Sequence, residues 1–195
     1  MKNTHFFLLL PLLCVACSAD TTKVEVSDTS TTVAVEKEEV SVSAIDEKNG
    51  FRTYHFGDDI SSFPDLEPVV SYGPPSIKEY KMPASKENYQ VGDTKLADII
   101  YSFYKDKFYS VLAHADRLDK DALTKLTSAV TALYGAGKGF SSGSGTGWYG
   151  DKVNGSVSVE GRDYRITQFR LTSKVIEKQI EADKLGSNKK GASDL

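Results

Sequence analysis

The sequence has few of the side chains that most often do covalent or metal chemistry. It holds two cysteines, Cys14 and Cys17, and none after them. Everything beyond residue 17 therefore lacks a disulfide framework, a cysteine zinc site and a thiolate nucleophile. Histidine is almost as scarce: His5 stands near the start, and only His55 and His114 follow. Charge of either sign is not in large excess. The 24 Lys+Arg against 27 Asp+Glu leave a net charge of −3, which argues against nucleic acid as a partner, because that usually demands a basic stripe. Long apolar runs are missing too. Residues 6–13 are apolar, with Pro11 among them, and fall far short of the roughly 20 residues that cross a bilayer as a helix.

That short run is nevertheless informative. Lys2 precedes it, Val15 and Ala16 extend it, and small or polar residues follow, which is the tripartite pattern of a secretory signal peptide. The residues Cys14-Val15-Ala16-Cys17-Ser18 resemble a bacterial lipobox. The resemblance implies cleavage after Ala16, diacylglycerol on the Cys17 thiol and acylation of the new amino terminus. One position departs from the pattern: three before the acceptor, leucine is usual and Cys14 stands here. Ser18 is not the aspartate that retains many such proteins at the inner membrane, so the resemblance favours the outer membrane. Several acyl chains anchor stably where one holds only marginally. An ordinary signal peptide cut near Ala16 is the alternative.

The expected organisation is a signal peptide over 1–16, a lipid-anchored tether over 17–49, one domain over 50–185 and a disordered tail over 186–195. Residues 18–49 contain no aromatic side chain and are dominated by Thr, Ser, Glu, Lys and Val, too little apolar area to offset ordering entropy. The valines partly alternate, so strand addition to a sheet edge is the second reading of that stretch. Within the domain, residues 97–104 and 108–114 are rich in β-branched and aromatic side chains and flank a short turn at Lys105-Asp106-Lys107, a hairpin signal. Leu123, Leu126, Val130, Leu133 and Tyr134 share one helical face. Residues 148–149, 153–160 and 164–171 read as closing strands. The apolar phase slips between Ile166 and Phe169, which suggests a bulge. Ser173 should cap a last helix. Runs of strands separated by helices predict an α+β fold, an antiparallel sheet with helices packed on one face.

Catalytic signals are weak. Each histidine reads more simply as structural. The acids of the run from His114 to Asp121 precede a helix, where they are favourable without a metal, and the run lacks a calcium-loop pattern. The glycine-rich residues 135–147 follow a helix and lead to a strand, the reverse of a phosphate loop, and Ser141, Ser142 and Ser144 have no evident His partner. No cofactor, metal site or catalytic residue is expected. The tyrosines remain. Tyr101 and Phe103 share one strand face, and Tyr104 lies on the other. If helices cover one face only, Tyr101, Tyr104 or Tyr109 could offer an aromatic surface to a protein or envelope component, with cross-strand packing as the alternative.

The segments Gly50-Phe51-Arg52 and Phe56-Gly57-Asp58-Asp59-Ile60, followed by the aromatic hairpin from Ile100 to Phe108, resemble uncharacterised bacterial secreted and lipoprotein domains. That resemblance implies no activity. The sequence alone thus describes a lipid-anchored, non-enzymatic envelope protein that binds a partner, with a small hydrolase or an apolar-ligand carrier as alternatives. With no cysteine beyond residue 17, reductant should leave the unfolding midpoint of the chain unchanged in a thermal melt.

Overall fold

In a computed structural model, residues 43–71, 74–161 and 165–193 are described, with side-chain surroundings through residue 187. The lipobox, the valine-rich stretch and Cys17 lie outside the described residues.

The longest strands are β6 (Thr94–Tyr104) and β7 (Lys107–Ala115). They pair antiparallel across a two-residue turn, with Tyr104 opposite Lys107. Lys105 and Asp106 both adopt positive φ, 50° and 61°, as a turn matching the right-handed strand twist requires. Neither is glycine, so the turn carries a backbone cost. Contacts offset it. The Asp106 carbonyl accepts from the Ile60 N–H at 2.8 Å, Lys78 Nζ donates to Asp106 at 2.9 Å, and Lys105 Nζ to Asp183 at 2.7 Å.

Among the described residues, nine strands form one antiparallel sheet. The order is β3 (Glu67–Pro68), β4 (Ile77–Lys81), β6, β7, β11 (Ile166–Ser173), β10 (Val153–Glu160), β9 (Gly145–Tyr149) and β8 (Lys138–Gly139), with β5 (Gln90–Val91) paired to the start of β6. Helix α2 (Ala122–Tyr134) carries the chain from β7 to the far edge. The strands β8 to β11 then return, so that β11 closes on β7. A separate two-stranded hairpin, β1 (Gly50–Phe51) with β2 (Tyr54–His55), precedes a short 3-10 turn at Ile60–Ser62. Asp59 caps that turn by accepting from the Ser61 N–H. The α+β class with an antiparallel sheet is as the sequence indicates.

Alternation sorts the side chains. Leu96, Ile99, Tyr101 and Phe103 of β6 join Phe108, Val111 and Ala113 of β7, Phe169 and Leu171 of β11, and Val153 and Val157 of β10 in the main core. Leu126 and Val130 of α2 cover them, and Phe51, Phe56 and Phe63 pack on from the first hairpin and the turn after it. Phe63 lies edge-on to Phe103 and Phe108, with centroids 4.9 and 5.1 Å away. Helix α3 (Lys174–Ser193) lies elsewhere. Its Ile176 and Ile180 bury with Tyr104, against Ile77 and Tyr109. Tyr104 follows Phe103 directly, so this second cluster stands on the opposite sheet face, at the end near the turn. Ser173 caps α3 by accepting from the Ile176 N–H at 3.3 Å.

The fold begins before Gly50, where the tether was expected to end. Helix α1 (Ala44–Lys48) sets Ile45 and Asp46 inside, 3% and 5% exposed. The Asp46 carboxylate accepts the N–H groups of Asp151, Lys152 and Val153 at 2.6, 2.8 and 2.9 Å, and the Ser43 hydroxyl at 3.0 Å. It thereby fixes the β9–β10 turn. A Cβ on Gly150 would stand 2.2 Å from its oxygen, so only glycine admits this approach. Burial pushes the carboxyl pKa up, but the four hydrogen bonds more than offset that and hold it below the usual aspartate value. At the other end the backbone of α3 stays helical to Ser193, through the expected tail. The bulge expected between Ile166 and Phe169 is not there: β10 and β11 pair without interruption from Val153↔Ser173 to Glu160↔Ile166. Ile166 simply faces the side opposite Phe169. Register shifts occur instead in β6–β7, at Leu96/Asp98 and Ser102/Phe103.

Asp46→Ala should cost about 3 kcal/mol in urea unfolding, because it strands three converging N–H donors. Since the folded pKa is depressed, this stabilisation is complete above the unfolded aspartate value and fades as pH falls through the folded one. The wild-type advantage over Asp46→Ala should shrink accordingly in acid.

Candidate functional site

The hairpin aromatics expected to meet a partner are mostly enclosed. Tyr101 is fully buried. Its hydroxyl donates to Glu87 at 2.8 Å, and Glu87 also pairs with Arg52, whose guanidinium stacks 4.8 Å over the Phe51 ring. Burial pushes the Tyr101 hydroxyl pKa well up, and Arg52 opposes that only in part. Tyr104, 5% exposed, donates to Asp183 of α3 at 2.6 Å. That hydrogen bond, then burial, raises its pKa. Tyr109 is half-buried beside α3, and burial followed by the nearby Glu177 charge raises its pKa. The tyrosines are enclosed for one physical reason: both faces at the turn end of the hairpin are covered, one by Phe63 and its neighbours and the other by α3.

The opposite end of the α3-bearing face is different. There a polar row runs across five adjacent strands. His114 of β7 lies opposite Asp98 of β6 and Gln168 of β11. Its Nδ1 is 2.7 Å from an Asp98 carboxylate oxygen. Lys81 of β4 approaches the other oxygen at 3.9 Å. Gln168 Nε2 donates to Ser158 at 3.3 Å and to Glu160, both on β10. With neighbouring strands about 4.8 Å apart, four gaps span about 19 Å. Lys81, Asp98 and His114 keep 36%, 31% and 26% of their side chains exposed. Burial pushes the Asp98 pKa up, but the His114 hydrogen bond and charge, helped by Lys81, bring it below the usual value. Two rungs towards the turn on the same face, Ile100 and Leu112 pair and are half-buried. An apolar rung thus borders the polar row.

The row orients hydrogen bonds before any ligand arrives. With its Nδ1 bonded to the Asp98 carboxylate, His114 presents Nε2, for which no partner is found among the described residues. The other candidate residues are engaged locally. Asp116 accepts from the Leu118 N–H at 3.0 Å, and Asp119 accepts from the Asp121 N–H at 3.1 Å and pairs with Lys125 at 2.9 Å. His55 is exposed beside Asp58, 4.0 Å away. Ser142 and Ser144 bond to each other at 2.6 Å. Among the described residues no group of three His, Cys, Asp or Glu is placed to hold a metal ion, and no helix is long and apolar enough to cross a membrane.

Sequence reasoning weighed His114 but missed Asp98, Lys81 and Gln168. The available signal was an aspartate inside a β-rich segment. Its meeting with His114 depends on a register shift beside it, which spacing does not reveal. Comparison with known proteins returns no match, whether to a protein-family model, a curated protein or a solved structure.

Tyr101→Ala should destabilise the fold by about 3–5 kcal/mol, as expected for a large buried side chain, and Tyr104→Phe by about 1 kcal/mol through the lost hydrogen bond. Chemical unfolding of both variants checks this, and a Tyr101→Ala protein as stable as wild type would contradict its place in the core.

Proposed function

We propose that this chain is a bacterial envelope lipoprotein, anchored by acyl chains on Cys17, whose domain binds a protein or envelope component on the sheet face around Asp98 and His114. The observation that carries the binding part is the partly exposed row Lys81, Asp98 and His114, backed by the buried Gln168. Side chains that are already oriented lose little freedom on binding, so less of the contact energy goes into ordering them. The adjoining Ile100–Leu112 pair supplies apolar area beside those polar groups. This surface replaces the tyrosine surface inferred from the sequence. The membrane part rests on the lipobox resemblance, and the outer membrane on Ser18.

One observation favours a second reading. An imidazole held through Nδ1 by a carboxylate, with Nε2 free, is the arrangement of a general base. A hydrolase would add a nucleophile or a positioned water at Nε2. No serine, threonine or tyrosine hydroxyl bonds to His114 among the described residues, so partner binding is preferred.

Two measurements test the proposal. Metabolic labelling with a fatty acid should mark wild type and lose the mark in Cys17→Ser; undiminished label in that variant refutes the anchor. A photo-crosslinking residue in place of Leu112 should trap a discrete envelope partner in cells. Asp98→Asn with His114→Ala should cut that adduct at least tenfold while the melting temperature falls by only a few degrees. Esterase or amidase turnover abolished by His114→Ala, with no adduct, would establish the hydrolase instead.

A further inference from the structure

A second feature lies on the other sheet face, at the edge where the α2 helix begins. Arg117, Asp119, Lys120, Leu123, Arg165 and Thr167 surround a depression of about 310 Å³, with Val159 also in its wall. Thr167 and Val159 are a cross-strand pair of β11 and β10. The neighbouring Val157 and Phe169 lie in the core beneath α2, and the alternation of both strands puts Val159 and Thr167 on that same side.

The charges around it do not cancel. Asp119 is committed to Lys125, through two contacts of 2.9 and 3.0 Å. For Arg117, Lys120 and Arg165 no ion pair is found among the described residues. Three cations thus line one depression, with no ion pair to any of them among the described residues, in a chain whose net charge is −3. The Thr167 hydroxyl adds a donor. Guanidinium groups match phosphate oxygens in a bidentate fork, and the first turn of α2 adds the positive end of its dipole.

Next to these cations stands an unusual apolar side chain. Leu118, between Arg117 and Asp119 in sequence, is 88% exposed, the largest value for a large hydrophobic side chain among the described residues. Its backbone N–H is held by the Asp116 carboxylate at 3.0 Å, so a defined turn displays it. A leucine held out in water beside arginine and lysine is poorly suited to a soluble anion. It suits a surface that has phosphate groups outside and hydrocarbon just beneath.

We propose that the turn Asp116–Lys120, together with Arg165, is a docking site for the phosphate headgroups of a membrane surface. Arg117, Lys120 and Arg165 take the phosphate oxygens, and Leu118 enters the acyl boundary. This site is separate from the Asp98–His114 face and does not depend on lipidation of Cys17.

The test uses the full chain carrying Cys17→Ser, so that no acyl chain contributes, and reads differences between otherwise identical chains. Partition is measured onto vesicles of phosphatidylcholine mixed with phosphatidylglycerol, and onto phosphatidylcholine alone. Each basic side chain near an anionic surface contributes about 1 kcal/mol. Arg117→Gln with Arg165→Gln should therefore lower partition onto the mixed vesicles by about twenty- to thirtyfold. Leu118→Ser should lower it several-fold on the same vesicles. Lys178→Gln, on helix α3 across the sheet, should change it less than twofold. All four side chains are exposed, so the melting temperature should hold. Lys120→Gln alone provides a milder check, with a loss of about fivefold. Equal partition of the Arg117/Arg165 variant and the parent overturns the proposal. So does saturable binding of glycerol phosphate in solution without any vesicle dependence on Leu118, which would assign the depression to a soluble phosphate ester.

Discussion

The pairing of β6 with β7 is the constraint on which the rest of the molecule depends. Both strands are long, both are internal, and their turn is held in a conformation that Lys105 and Asp106 adopt only at a cost. Once that pairing is set, alternation divides the side chains into two populations. Tyr101, Phe103 and Phe108 enter one aromatic-rich core with Phe51, Phe56 and Phe63. Tyr104 and Tyr109 go to the opposite face and require a cover, which α3 supplies through Ile176 and Ile180. Asp98 and His114, further along that same face, fall beyond the apolar cluster that α3 makes. The candidate site is therefore a consequence of the hairpin register and of where the last helix sits.

The same hairpin explains how the two edges of the fold are secured. On one side β4 pairs with β6, and Lys78 reaches back to the turn. On the other side β11 closes on β7 only because α2 first crosses to the far edge and three strands return. That return needs a fixed β9–β10 turn. Asp46 fixes it from a helix more than a hundred residues earlier, with a carboxylate that three converging N–H groups satisfy. A buried charge is costly unless hydrogen-bonded; here each bond ties the start of the domain to its closing strands.

The two proposed surfaces occupy different faces of the sheet and use different chemistry. The Asp98–His114 row is preorganised by contacts between its own members, which suits discrimination of one partner. The Arg117–Lys120–Arg165 ring holds cations with no ion pair among the described residues, which suits a surface of repeated phosphates and is sensitive to salt. A tethered domain that rests on a membrane by one face would leave the other free for a partner.

Much of this architecture was legible in the sequence. The hairpin, the α2 helix with Leu126 and Val130 inward, and the Ser173 cap all follow from local pattern, because each depends on residues within one or two turns of each other; Leu133, assigned to the same helical face, is instead 54% exposed. The sequence also determined that no covalent cross-link contributes beyond residue 17. What it could not determine is which tyrosines are free. Tyr101 and Tyr104 differ in face by parity alone, but their burial depends on Phe63 and on Asp183, contacts set by distant segments. Nor could it place Asp98 beside His114, since a register shift in β6 decides that pairing. The start of the domain is hidden in the sequence for the same reason: Asp46 looks like one more solvated acid until the β9–β10 turn folds onto it. Local preferences act over a few residues and are written in spacing, whereas burial, register and charge pairing arise only when remote strands have met.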